Sequence, residues 1–352
     1  MPILISVPKI RAFSEFNNIF DENFVMKQIL GIGNALVDVM TIIPDDSILE
    51  KFGLPRGSMQ LVDVAKSQMI KNGTSAYNRT LASGGSAANT IHGLAMLKTD
   101  AGFIGAVGND ETGDFFEKDM RNAGVRTILF RRSSVTGTAV ALISPDSERT
   151  FATHLGAAVE LGPDDLKKEH FKPYDILYLE GYLINDRSLV EKACILAREN
   201  NMEIALDLAS FNVVESKLDD FRYVLGKYVD IVFANEEEAR AYTGLNPEMA
   251  LKQMGEQHRI AVVKTGKEGS IIMRGEEFVK IGSLPVISKD TTGAGDLYAA
   301  GFLYGYANDL PLEKCGAIGA LLAGKVIEIV GARISDVKWN NIRNQVLAVI
   351  EE

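Results

Sequence analysis

A chain of 352 residues has room for about two average domains, or for one large domain with an appendage. Its 46% hydrophobic and 24% charged residues are ordinary globular usage and exclude a disordered chain. The 37 Lys plus Arg against 47 Asp plus Glu give a formal charge of −10 with no basic stripe, which excludes nucleic acid as a partner, and two cysteines exclude a disulfide framework or a multi-cysteine metal cage.

Residues 1–25 have no clean apolar stretch, no small-residue cleavage site and no motif. They are expected to form an N-terminal appendage, or an over-extended start, ahead of a domain spanning 26–352. The first strand is expected at Gln28 to Gly33. QILGIGNALVDVMTII then reads as a strand, a glycine break and a second strand. SMQLVD, SAYNRTLAS, GTAVALIS and RTFATHL are short, β-rich and separated by turn signals. Apolar-periodic helices follow in ANTIHGLAMLK, TGDFFEKDMRNAG, RSLVEKACILARENN and NEEEARAYTG. They alternate with buried-type strands in DAGFIGAVG, DILYLEG, EIALDLA, DIVFAN and IAVVKTG.

That alternation predicts an α/β fold with a mostly parallel central sheet and helices on both faces. The short strands do not fit the rhythm. They are expected to form a small interleaved β-sheet, a lid built from about 38–83 and 137–154. No apolar run reaches the roughly 18 residues of a membrane helix. The longest, Cys315 to Gly324, is followed by Lys325. A cytoplasmic protein with no membrane partner is expected, its Cys194 and Cys315 buried as small hydrophobes in a reducing compartment.

Ligands of such sheets bind outside the carboxyl ends of the strands. Asn34, Asp38, Gly108, Gly181, Asp207, Asn235, Thr265 and Gly266 fall there. GIGNAL begins like a dinucleotide loop, but its third glycine position is Leu36. GALLAGKV resembles a phosphate loop, yet it ends in Val326 and lies in an apolar helical run, so a core helix is expected.

The strong signal is KDTTGAGD at 289–296, immediately before the apolar run LYAAGFLYGYA. Successive N–H groups at a helix start form an anion hole, reinforced by the helix dipole. Capping alone accounts for Asp296 but not for Gly293-Ala294-Gly295 before it. An anion pocket beside a carboxylate suits phosphoryl transfer, with the amides on the phosphate and the carboxylate taking a hydroxyl proton. A second cluster, Gly84-Gly85-Ser86-Ala87-Ala88-Asn89, opens another helix. There, paired glycines allow close backbone approach and Asn89 can bond sugar hydroxyls.

GGSAAN together with DTTGAGD resembles the two signatures of the ribokinase, or PfkB-type, carbohydrate kinase family. GIGNALVD and TGTAVALISPDSERTF look most like the adenosine and related nucleoside kinases within it. FANEEEA is similar to the family's N-x-x-E, and VKTGKEGS to its T-x-G-x-x-G. The resemblance covers Gln28 to the C-terminus and implies a ribokinase-like fold.

It also implies ATP- and Mg²⁺-dependent transfer to the 5′-hydroxyl of a nucleoside, in purine salvage, by a monomer or homodimer. Asp296 is implied as the base and Gly293, Ala294 and Gly295 as the anion hole. Asp38, Asn34, Gly84, Gly85 and Asn89 are implied around the sugar, Arg149 on the transferring phosphate and Tyr182 on the base. Asn235 and Glu238 would organise Mg²⁺ mostly through water. Asn235, Thr265, Gly266 and Gly269 would form the nucleotide site. Much of the family also uses a monovalent cation such as K⁺ near the anion-hole loop. The alternative readings are a kinase of a free sugar or sugar acid, such as ribose or fructose, and a non-catalytic nucleoside-binding protein.

Overall fold

The computed structural model describes residues 26–146 and 148–352, so the expected appendage at 1–25 lies outside the described residues. Among the described residues fourteen strands follow in chain order. The first seven are β1 (Ile29–Ile32), β2 (Leu36–Ile42), β3 (Met59–Leu61), β4 (Arg79–Gly84), β5 (Ala101–Gly108), β6 (Arg126–Arg132) and β7 (Gly137–Ile143). The others are β8 (Arg149–His154), β9 (Ile176–Glu180), β10 (Glu203–Asp207), β11 (Ile231–Asn235), β12 (Ile260–Lys264), β13 (Ser270–Arg274) and β14 (Glu277–Ile281).

Nine of them build one sheet in the order β14-β13-β12-β11-β10-β9-β1-β5-β6. From β12 to β6 every pair is parallel, whereas β12-β13-β14 run antiparallel. The central strands are continuous apolar runs because helices cover both faces of the sheet. β5 and β9 are buried at every position. Two large apolar clusters, one on each side of the sheet, make the core. Several helix starts are capped by their own side chains. Asp110 accepts from Gly113 N, Asp186 from Leu189 N, and Asn235 and Glu238 form a reciprocal capping box.

The expected buried-type strands are all present. β6 and the β13–β14 hairpin are strands beyond those expected from the sequence. β6 and β14 are the edge strands of this sheet and carry arginines, a lysine and a glutamate on exposed or half-exposed positions, so their apolar signal is diluted. GALLAGKV lies inside the Leu312–Ile327 helix, packed on the Ala294–Ala307 helix, as a core element. Cys194 and Cys315 are free and buried. Among the described residues no helix is long and apolar enough to cross a membrane.

The other five strands form a second sheet, β3-β8-β7-β2-β4. The chain leaves the large sheet through Gly33–Ala35 and returns through Gly85 into the Ser86–Met96 helix. These two crossings touch. Gly85 has φ +102°, and a Cβ there would lie 2.1 Å from the Asn34 carbonyl oxygen. Only glycine fits, so two of the crossings between the sheets meet backbone to backbone at the carboxyl edge of β1.

Candidate active site

A cavity of about 480 Å³ opens between the two sheets, within the usual range for small-molecule sites. Strands β10, β11 and β12 end side by side and deliver Asp207, Asn235 and Lys264 to it. The two glycine-rich helix starts supply Gly85, Ser86 and Asn89 from one side and Gly293 through Asp296 from the other. The small sheet contributes Asp38 and Phe151, while Tyr182 and Ala209 come from the loops after β9 and β10.

Asp296 lies at the centre of this arrangement. Ser86 Oγ donates to its Oδ1 at 2.7 Å and Asn89 Nδ2 to its Oδ2 at 2.9 Å. Burial pushes its carboxyl up to about 6, against those two hydrogen bonds; Asp207 adds to the rise and Lys264 opposes it. The group is therefore a proton acceptor poised near neutrality. Immediately before it, Gly293 adopts φ +76° and starts the Ala294–Ala307 helix. The N–H groups of Gly293, Gly295 and Asp296 have no acceptor among the described residues. Three open donors at the positive end of a helix dipole form an anion cradle.

Asp38 stands on β2, on the opposite wall, its carboxylate packed over Gly84, where a Cβ would lie 2.4 Å from Oδ1. Burial raises it to about 6, with Arg333 and Arg149 lowering it and Asp296 raising it. Neither oxygen has a hydrogen-bond donor among the described residues. Asn89, 5% exposed, leaves its Oδ1 without a partner. These oxygens are therefore free to accept from hydroxyl groups. Asn235 N and Nδ2 both donate to the Glu238 carboxylate, at 2.7 Å each. Burial pushes Glu238 up to about 7, against the field of Lys264.

Asp38, Gly85, Asn89, Tyr182, Asn235, Glu238, Gly266 and Gly293–Asp296 thus meet in one cavity. Asn34, Gly84, Arg149, Thr265 and Gly269 are not among the residues that line this cavity. The Asn34 N–H and Nδ2 are both taken by Glu180 Oε1, and Gly84 makes room for Asp38. The Arg149 guanidinium pairs with Asp290 at 2.6 Å and donates to Thr292 Oγ1 at 3.0 Å. Thr265 and Gly269 close a tight turn, Thr265 N donating to Gly269 O at 2.8 Å. Counting T-x-G back from Gly266 lands on Lys264 and not on Thr265, so the motif read in VKTGKEGS is off by one residue.

The sequence assigns no role to Phe151, Ala209 or Lys264; it places Ser86 only within the second glycine cluster and Asp207 only among the strand ends where a ligand binds, and both line the cavity. The signal for Lys264 was a lysine closing a strand that is otherwise wholly apolar.

Residues 59–339 match the model of the pfkB family carbohydrate kinases. The chain belongs to that family. It is an ATP-dependent kinase of the carbohydrate and nucleoside class, with the ribokinase-like fold. An adenosine kinase from Sinorhizobium meliloti is a similar solved structure, 35% identical with a TM-score of 0.80, covering 90% of this chain and 99% of that one. A probable sugar kinase from Rhizobium etli is 31% identical with a TM-score of 0.82, covering 92% and 100%. The 5-dehydro-2-deoxygluconokinase of Geobacillus kaustophilus is 31% identical over 264 residues, 69% of this chain and 78% of that protein.

Proposed function

We propose that this kinase transfers the γ-phosphoryl group of ATP to the 5′-hydroxyl of a nucleoside, adenosine above all. The observation that carries the proposal is the placement of Asp296. Its carboxylate is anchored by Ser86 and Asn89 at the foot of a cradle of open N–H donors. Asp38 and the free Oδ1 of Asn89 grip ribose hydroxyls on one side of the cavity. Tyr182 and Phe151 line the same cavity and offer apolar faces for a nucleobase.

In the reaction Asp296 takes the proton of the attacking hydroxyl. Gly293, Gly295 and Asp296 N–H hold the oxygens of the transferring phosphoryl group. Asn235 and Glu238 would hold a Mg²⁺ ion through its waters, since both Glu238 oxygens accept from Asn235 and keep lone pairs for water. When bound, the ion would supply charge neutralisation on the phosphates. The small sheet closes over the acceptor and excludes water.

The test is acceptor-dependent ADP release across adenosine, other nucleosides, ribose, fructose and a sugar acid. Adenosine is expected to give the highest kcat/KM. A preference for a free sugar or a sugar acid would transfer the proposal to that class. No release with any acceptor would point to a non-catalytic binding protein. Running the assay with and without K⁺ tests the monovalent cation that the resemblance implies.

A further inference from the structure

Lys264 is a charge at the end of a buried strand that the roles above do not use. Its side chain is 14% exposed, and Nζ donates to Asp207 Oδ2 at 2.7 Å. It is the only Lys or Arg in the cavity wall among the described residues. It also touches the anion cradle, since a methyl group added to Gly295 would sit 3.1 Å from Nζ. An ammonium carries three donors, and Asp207 takes one. The other two have no acceptor among the described residues. Asp207, 6% exposed, fixes the position of the ammonium and leaves those donors facing the Gly293–Asp296 loop.

A structural ion pair does not require this placement. Desolvating a charge pair is costly, and an apolar pair would fill the same space. Placing the ammonium against Gly295 makes sense if an anion arrives there. The wall otherwise carries Asp38, Asp207, Glu238 and Asp296, an acidic surface that would oppose the negative charge developing on a phosphoryl group in transfer.

We propose that Lys264 is a catalytic residue whose ammonium contacts the phosphoryl group in transfer, beside the Gly295 N–H, with Asp207 as its positioning residue. This rests on the phosphoryl-transfer reading above. The bond from the γ-phosphorus to the ADP oxygen breaks and a bond to the acceptor oxygen forms. Asp296 receives the acceptor's proton, and Lys264 keeps its own throughout. Its charge meets the negative charge that develops on the phosphoryl oxygens, so its effect belongs to kcat rather than to ATP affinity.

The experiment compares Lys264→Met and Lys264→Arg with the wild-type chain, using the best acceptor from the panel above. Lys264→Met is expected to lower kcat by about 10²–10³-fold with the KM for ATP changed less than about fivefold. Lys264→Arg, which keeps the charge, should recover at least about tenfold of that loss. ADP with aluminium fluoride, bound with acceptor, should lose affinity in the Met variant by a factor similar to the kcat loss, while a non-hydrolysable ATP analogue loses little.

If the Met variant does not fold because Asp207 is left unpaired, Lys264→Met with Asp207→Asn removes both charges and should be equally slow. A Met variant within threefold of wild type, or Arg and Met variants equally slow, would overturn the assignment. An equal loss of the analogue and the aluminium fluoride complex would also overturn it. A wild-type chain inactive with every acceptor overturns the transfer reading together with this one. An active wild type with an unaffected Met variant overturns this one alone.

Discussion

The molecule contains two glycine-rich helix starts that face each other across the cavity and are used in opposite ways. At the Ser86–Met96 helix the chain has supplied its own anion. Glu180, 1% exposed, accepts from Ala87 N at 2.8 Å and from Asn34 N and Nδ2 at 2.9 and 2.6 Å. At the Ala294–Ala307 helix no carboxylate among the described residues occupies the cradle, and the Gly293, Gly295 and Asp296 N–H groups stay open. The backbone physics is the same at both ends. Glycine at a helix start therefore does not by itself mark an anion site. What decides is whether the fold has already filled it. One carboxylate joins the two starts, because Asp296 belongs to the open one and receives its hydrogen bonds from Ser86 and Asn89 of the filled one.

The largest effect should come from removing that carboxylate's charge. Asp296→Asn keeps the size of the side chain and its place in the first turn. It is expected to lower kcat by roughly 10²–10⁴-fold while acceptor binding is largely retained. Single-turnover kinetics with calorimetric binding reads both, and normal turnover would remove Asp296 from the base role. The filled start should respond in stability instead. Burial pushes Glu180 up to about 7 against its three N–H donors, so the pocket is built around donors. Glu180→Gln presents an amide N–H to one of them and should destabilise the fold by about 2–4 kcal/mol, read as a shift of the denaturant midpoint. Unchanged stability would mean that Glu180 is not the internal anion of that helix.

The glycines separate the two starts in the same way. At Gly85 a side chain meets both the positive φ and the Asn34 carbonyl at 2.1 Å, so Gly85→Ala should cost about 2–3 kcal/mol of stability. At Gly295 a Cβ meets only the tip of Lys264 at 3.1 Å, and φ is not positive. Gly295→Ala should melt near wild type but turn over about tenfold more slowly, since the methyl intrudes on the cradle. Equal losses of stability at the two positions would erase the distinction.

This contrast also explains what could be read from the sequence. The βαβ rhythm and the two glycine clusters are local patterns, and both predicted real elements at the right edge of the sheet. That Gly84 serves Asp38, that Asn34 is spent on Glu180, and that Arg149 is tied to Asp290 are facts of pairing between distant segments. Asn34 and Glu180 are separated by 146 positions, and nothing near either one announces the other. Lys264 shows the same limit from the other side. A lysine ending an apolar strand is visible in the sequence, but its approach to Gly295 exists only once β12 and the Ala294–Ala307 helix are packed.

The pH dependence of Asp296 is the most diagnostic, because it sets activity against stability at one carboxylate. The folded-state pKa of Asp296, about 6, lies above its ordinary value of 3.8, chiefly through burial and then through repulsion from Asp207. Between those values the folded chain binds more protons than the unfolded one. Stability carried by this group therefore falls as pH rises from about 4 to about 6, and the deficit is complete above that window. Catalysis needs the ionised form, so kcat/KM should fall about tenfold per unit below pH 6, where stability recovers. Asp296→Asn removes the titration. Its amide oxygen can still accept from Asn89 Nδ2 and its amide N–H can donate to Ser86 Oγ, with no buried charge. The inactive variant should thus be more stable than wild type by about 1–3 kcal/mol at pH 7.5, with the difference shrinking towards pH 4. Denaturant melts of the two proteins at several pH values measure this directly. A difference that stays constant with pH would show that Asp296 is ionised in the folded chain at no cost, and that the cavity is wetter than its hydrogen bonding implies.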